Sequence, residues 1–252
     1  MFIHKKELIH PVSVDNPDPR YGQYLLEQFG GATGELTAAL QYFVESFHVT
    51  NSGIRDMLLD ISTEELGHLE MVGRLIEIHT RADKDLKIKA EESSLFALRG
   101  RGPHFLDSLG SSWTASYINE GGDVVRDLRA NIAAEAGALA TYEQLIENSQ
   151  DDGTKKALGH LATREVAHTQ MFMEALQSLG KLTDPIFGEL KPDDTVNVYY
   201  NMSSNGAADE RGPWNSEPKF KYIADPLGQK SARGEGSEKL HGEKLARGQS
   251  SR

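Results

Sequence analysis

Residues 63–70 read TEELGHLE, and the interpretation of Glu65 and His68 within them decides the fold. A carboxylate and an imidazole three residues apart project from one face of a helix. Such a pair can hold one metal ion, or it can be two polar side chains on a wet surface. Spacing alone does not choose. Glu-x-x-His occurs five times, at Glu7/His10, Glu45/His48, Glu65/His68, Glu165/His168 and Glu238/His241. Chance alone supplies about one copy of so short a motif in a chain of this composition.

Context sorts the five. Glu7/His10 precedes Pro11 in a non-helical N-terminal arm, residues 1–18. Glu238/His241 lies in residues 229–252, a run of Gly, Ser and charged side chains expected to form a disordered tail. The 252-residue chain contains no cysteine, which excludes disulfides and thiolate sites. Any metal must be held by carboxylate, imidazole, hydroxyl or backbone groups. A net charge of −11 argues against nucleic acid as a partner. No apolar run approaches membrane-spanning length and no leader segment is evident. The expectation is a soluble cytoplasmic protein with no membrane partner.

Four segments show helical periodicity. The first runs from Pro19 to about His48, with Asp18 and Pro19 as N-cap and first helical residue. The turn TNSG, residues 50–53, separates it from a second helix over about Ile54–His79. A third covers about Gly122–Asn148, and a fourth follows Asp151-Asp152-Gly153 to Leu179, closed by Gly180. Short turns make two antiparallel hairpins, joined by a connection of about forty residues, the long crossover of a ferritin-like bundle. The predicted fold is all-α: a ferritin-like four-helix bundle over residues 19–180 and an extended wrapping arm over residues 181–228.

The two promising pairs fall on helices two and four. Helices one and three each carry a lone glutamate among small and apolar residues, Glu35 in GATGELTAAL and Glu135 in NIAAEAGALA. Glu35 to Glu65 and Glu135 to Glu165 both span 30 residues, so Glu-x29-Glu-x-x-His appears twice, offset by 100. At 1.5 Å per residue the chain climbs about 24 Å from Glu35 to the turn and returns about 20 Å to Glu65. Both side chains therefore sit at one level, and the second hairpin repeats the arithmetic. Four carboxylates and two imidazoles converge in the interior, where burial without compensating cations would be prohibitive. This is the dimetal carboxylate pattern of ferritin-like bundles. Glu45/His48, about 80° around the helix from Glu35, reads as structural or exposed. Oxygen and imidazole ligands suit Mn and Fe alike.

Four segments carry a further resemblance: GATGELTAALQYFVESF, DISTEELGHLEMVGRLIE, REVAHTQMFMEALQ and VYYNMSSNGAADERGPWN. Over residues 20–225 the chain resembles the non-haem manganese catalases. The resemblance implies disproportionation of hydrogen peroxide to water and dioxygen at two Mn ions per subunit. By position, Glu35 and His68 would ligate one Mn, Glu135 and His168 the other, and Glu65 would bridge them. Glu165 would handle protons, and Tyr42 would orient a ligand glutamate. The resemblance also implies a homohexamer and a Ca²⁺ site formed by Asp56, Asp60, Asn201, Ser203 and Gly206. Some members carry a basic residue at positions that are Ala134 and Tyr142 here, leaving Glu165 without an evident cationic neighbour. The NMSSNG segment is one residue longer than the family's usual form. A di-iron oxidase or iron-storage protein, or a coat or stress protein retaining the bundle, would use the same four helices. Neither accounts for the C-terminal resemblance.

Overall fold

The computed structural model describes residues 3, 5–81, 87–203 and 210–226. Seven α-helices occur among them: α1 Pro19–Tyr24, α2 Leu26–Gly30, α3 Glu35–Glu45, α4 Ser52–His79, α5 Ser94–Arg99, α6 Val124–Asn148 and α7 Asp152–Ser178. α3 pairs with α4 and α6 with α7, and the two hairpins pack through α4 on α7 and α3 on α6. Their ends follow capping chemistry. The Asn51 side chain accepts from Gly53 and Ile54 N–H, Asp123 from Arg126 N–H, and Asp151 from Thr154 N–H. Gly180, at φ +66°, closes α7, with Lys181 N–H donating to Leu176 O at 2.8 Å and Gly180 N–H to Gln177 O at 2.9 Å.

The first helix departs from expectation. Pro19–His48 is not continuous but is cut into α1, α2 and α3. Gly31 is extended (φ −75°, ψ 172°) and ends α2; Gly34, also extended, precedes α3. The glycines are sterically required: a Cβ on Gly30 would lie 2.6 Å from Leu106 O, and one on Gly34 would lie 2.7 Å from Gln28 O. Glu35 thus opens a helix instead of standing in the middle of one, where the positive end of the helix dipole favours a carboxylate. The level arithmetic still holds, because α3 runs from Glu35 toward the turn.

Two apolar clusters flank a polar middle layer. One gathers Leu25, Met71, Leu75, Tyr142, Leu158 and Leu161, and the other Tyr42, Leu58, Ile61, Leu128, Phe172 and Leu176. Along α4 the order is Ile61, then Glu65 and His68, then Met71; along α7 it is Leu161, then Glu165 and His168, then Phe172. The antiparallel helices therefore bring their polar turns to one depth, sealed above and below. The crossover contributes α5 and packs on the first hairpin, with Trp113 Nε1 donating to Thr37 Oγ1 at 3.0 Å. The N-terminal arm is tied to α7: Asp15 and Asn16 N–H donate to Asp151 Oδ2 at 2.7 and 2.9 Å.

The chain divides into two compact units, Met1–Phe187 and Gly188–Arg252. The first extends beyond the expected limit at residue 180 because Arg129 donates to Lys181 O and Asp184 O and lies 4.2 Å over the Phe187 ring. The second unit contains a two-stranded parallel sheet, β1 Val198–Tyr200 with β2 Lys221–Ile223, an addition to the all-α expectation. Residues 229–252 and Gly206 lie outside the described residues.

Candidate metal centre

Glu35 opens α3, Glu65 and His68 sit on α4, Glu135 on α6, and Glu165 and His168 on α7; all six are buried. The repeat in the sequence becomes an approximate two-fold arrangement of side chains. Ligand atoms of Glu35, Glu65, His68 and Glu165 lie within 4.8 Å of one another, as do those of Glu65, Glu135, Glu165 and His168. Glu65 and Glu165 belong to both groups. Glu65 Oε2 is 2.7 Å from His68 Nδ1, and Glu65 Oε1 is 2.8 Å from His168 Nδ1. One carboxylate thus faces both imidazoles, one oxygen to each.

The electrostatics are those of charges confined together. Burial, reinforced by Glu65, pushes Glu35 up to about 8. Burial likewise pushes Glu135 up to about 7. Burial and the neighbouring Glu65 and Glu35 raise Glu165 well above the carboxylate range. Glu65 goes the other way: burial opposes its charge, but the two imidazoles outweigh burial and hold its carboxyl below the usual range. Burial disfavours charge on His68, and Glu65 and Glu35 overcome it, raising that imidazole well above its ordinary value.

The donor set fits a pair of metal ions. Glu65 Oε1, Glu165 Oε1 and His168 Nδ1 are buried without a hydrogen bond. His168 Nδ1 approaches Glu65 Oε1 to 2.8 Å without forming a hydrogen bond. Buried polar atoms left unpaired are costly, and cations shared among them are a natural remedy.

Two tyrosines brace the cluster from opposite ends. Tyr42 OH donates to Glu135 Oε1 at 2.6 Å, and Tyr142 OH donates to Glu35 Oε1. Burial keeps both phenols protonated, with the facing carboxylates adding to the effect. Tyr142, neutral where some family members carry a base, bonds a candidate ligand instead. The signal that finds it is the same 100-residue offset, since Tyr42 follows Glu35 as Tyr142 follows Glu135. Tyr142→Phe should therefore mimic Tyr42→Phe, each lowering metal affinity about 10- to 100-fold, read by metal content after dialysis against a chelator. Unequal effects of more than that range would refute the equivalence.

The remaining candidates are placed as follows. Asp56 and Asp60 are exposed on α4, and neither joins a group of three or more ligand side chains among the described residues. Asn201 is buried in the second unit, its backbone N–H donating to Ile223 O at 3.0 Å, and Ser203 is exposed. Glu45, expected to be structural or exposed, is buried, accepting from Asn131 Nδ2 at 2.6 Å. His48 is open to solvent. Glu64 and Arg164, which no motif in the sequence marks, join across the site.

A family model described as manganese containing catalase matches residues 1–241. The chain belongs to the manganese catalase family. A probable manganese catalase of Clostridium acetobutylicum is 35% identical over 224 residues, covering 87% of this chain and 98% of the relative. The crystal structure of KatB, a manganese catalase from Anabaena PCC7120, is 67% identical with a TM-score of 0.84, covering 90% of this chain and all of that one. The Bacillus subtilis protein CotJC is 35% identical over 193 residues, covering 73% of this chain and 97% of its own. The match reaches well past the bundle, so a di-iron oxidase or iron-storage protein is not favoured. The two packed helical hairpins joined by a long crossover make a ferritin-like bundle; among the described residues no helix is long and apolar enough to cross a membrane.

Proposed function

We propose that this catalase holds two manganese ions per subunit, with Glu35 and His68 on one, Glu135 and His168 on the other, and Glu65 between them. The position of Glu65, with one oxygen toward each imidazole at 2.7 and 2.8 Å, is the observation that supports the reading. The reaction is that of the family. One hydrogen peroxide is oxidised to dioxygen, giving up two electrons and two protons, and a second is reduced by them to two waters. Bound manganese supplies the two-electron redox capacity.

The chain's own residues supply the rest. Glu165 carries one of the two protons between the half-reactions, accepting it as a carboxylate from the peroxide that is oxidised and returning it as a carboxylic acid to the one that is reduced, while the second proton passes through solvent. Tyr42 and Tyr142 keep Glu135 and Glu35 in one orientation. A cavity of about 310 Å³, lined by Thr37, Gln41, Asn119 and Ala134 among others, reaches Tyr42 and Glu135 and gives a small neutral substrate a route. The test is metal analysis of protein from manganese- and iron-replete cells, with oxygen evolution on the same sample. About two Mn per subunit and one dioxygen per two peroxides support the proposal; bound iron with negligible oxygen overturns it.

The reading includes a homohexamer in the cytoplasm and a Ca²⁺ ion at Asp56 and Asp60 of α4. The support is the family resemblance together with oxygen ligands of the kind calcium takes. Asp60→Ser is expected to loosen the oligomer and remove its sensitivity to a calcium chelator, seen by size-exclusion chromatography. An unchanged oligomer with unchanged chelator response would remove Asp60 from any calcium site.

A further inference from the structure

The pseudo-two-fold symmetry of the centre is broken in charge immediately before Glu65 and Glu165. Residues 64 and 164 correspond under the 100-residue offset, yet one is Glu and the other Arg. Two glutamates or two arginines there would repel across the axis. The actual pair attracts: Arg164 Nε donates to Glu64 Oε1 at 2.6 Å, and Arg164 Nη2 to Glu64 Oε2 at 3.4 Å. The other side of the same carboxylate faces the buried imidazoles. Glu64 Oε1 is 3.4 Å from His68 Nε2, and Glu64 Oε2 is 3.3 Å from His168 Nε2. Neither Nε2 has a hydrogen-bond partner. At these lengths the contacts are ion-pair approaches, looser than aligned hydrogen bonds.

An imidazole that ligates through Nδ1 must carry its proton on Nε2, and a carboxylate beyond that N–H sets the tautomer, the ring orientation and the basicity of the ligating nitrogen. One such acceptor normally serves one histidine. Here the two rings stack with centroids 5.5 Å apart and 21° between planes, so a single carboxylate spans both. We infer that Glu64, held by the Arg164 fork, is the shared positioning residue for both ligand histidines, a clamp on the face of the centre opposite Glu65. The inference rests on the proposed role of His68 and His168 as ligands. Arg164 also supplies the positive charge near Glu165 that the neutral Ala134 and Tyr142 do not.

The test compares manganese affinity, measured by competition with a chelator, with the unfolding midpoint of the metal-free protein. Glu64→Ala should weaken manganese binding about 10- to 100-fold, with the metal-free midpoint little changed, since a partly exposed ion pair contributes little to stability. Because positions 64 and 164 are equivalent, exchanging the partners (Glu64→Arg with Arg164→Glu) should recover most of the affinity that either single change loses. If Glu64→Ala does not fold, Glu64→Gln, of equal size and neutral, carries the same comparison. Wild-type affinity in the Glu64 variant, a loss matched by an equal fall in metal-free stability, or an exchanged pair no better than the singles would overturn the clamp. His168→Ala is the control. If it keeps manganese as the wild type does, the ligand assignment fails; if it loses manganese while Glu64→Ala does not, only the clamp fails.

Discussion

Glu65→Ala should emerge from manganese-replete cells with less than half the metal of the wild type and with almost no catalase activity. The expectation follows from the double role of that carboxylate. Its two oxygens approach the Nδ1 atoms of the two imidazoles, at 2.7 and 2.8 Å, and it belongs to both ligand groups. Removing it leaves two buried imidazoles without their closest counter-charge. Taking one partner from a buried charged set costs about 3–5 kcal/mol, or roughly 150- to 4,000-fold in binding. Both metal positions lose this at once. His168→Ala should instead empty one position preferentially. Metal stoichiometry and peroxide turnover on the same preparations separate the two cases. A Glu65→Ala protein that retained a full complement of manganese would end the bridging assignment.

How far the centre could be read from sequence depended on which signals were local. α4, α6 and α7 begin within two residues of their expected starts because Asn51, Asp123 and Asp151 are caps whose side chains bond the nearest free N–H groups. Gly180 was legible for the same reason. The break before Glu35 was not. Gly30, Gly31 and Gly34 lie inside the span expected for the first helix, and for Gly30 it is the approach of Leu106 from the crossover that leaves no room for a Cβ. That contact joins residues far apart in sequence, and no periodicity encodes it.

The six converging side chains were legible because an exact repeat of spacing is global information written locally. The same repeat marks Tyr142, seven residues after Glu135 as Tyr42 is seven after Glu35. Glu64 and Arg164 were hidden for another reason. A repeat search looks for identity at equivalent positions, and this pair works through difference. Ion pairing across a pseudo-two-fold axis requires opposite charges, so it breaks the repeat at the point where it joins the halves. Glu45 shows the limit of helical-wheel reasoning: its angle from Glu35 places it off the metal layer, correctly, but Asn131 and Gln41 from two helices bury it in a separate polar link.

Glu165→Gln is expected to keep both manganese ions and lose most of the activity, by about 10²- to 10⁴-fold for a group that carries protons. Geometry alone leaves Glu165 in both ligand groups, beside Glu65. Electrostatics separates the two carboxylates. Glu65 is held below the ordinary range by the imidazoles on either side, so it stays charged and suited to a cation. Glu165 is raised well above that range by burial and by the charge on Glu65 and Glu35. Glu35 and Glu135 are raised by burial too, so the proton role of Glu165 rests on the family resemblance, and the substitution decides it. Glutamine keeps the size and a hydrogen-bonding oxygen while removing the titratable site, so a ligand role and a proton role give opposite metal contents. The pH profile adds a second reading: the wild-type rate should fall on each side of an optimum as proton uptake or release at Glu165 fails, and the small residual rate of Glu165→Gln should lose that dependence. Manganese lost in proportion to activity would instead place Glu165 among the ligands, with Glu65 and Glu165 sharing the metals between them.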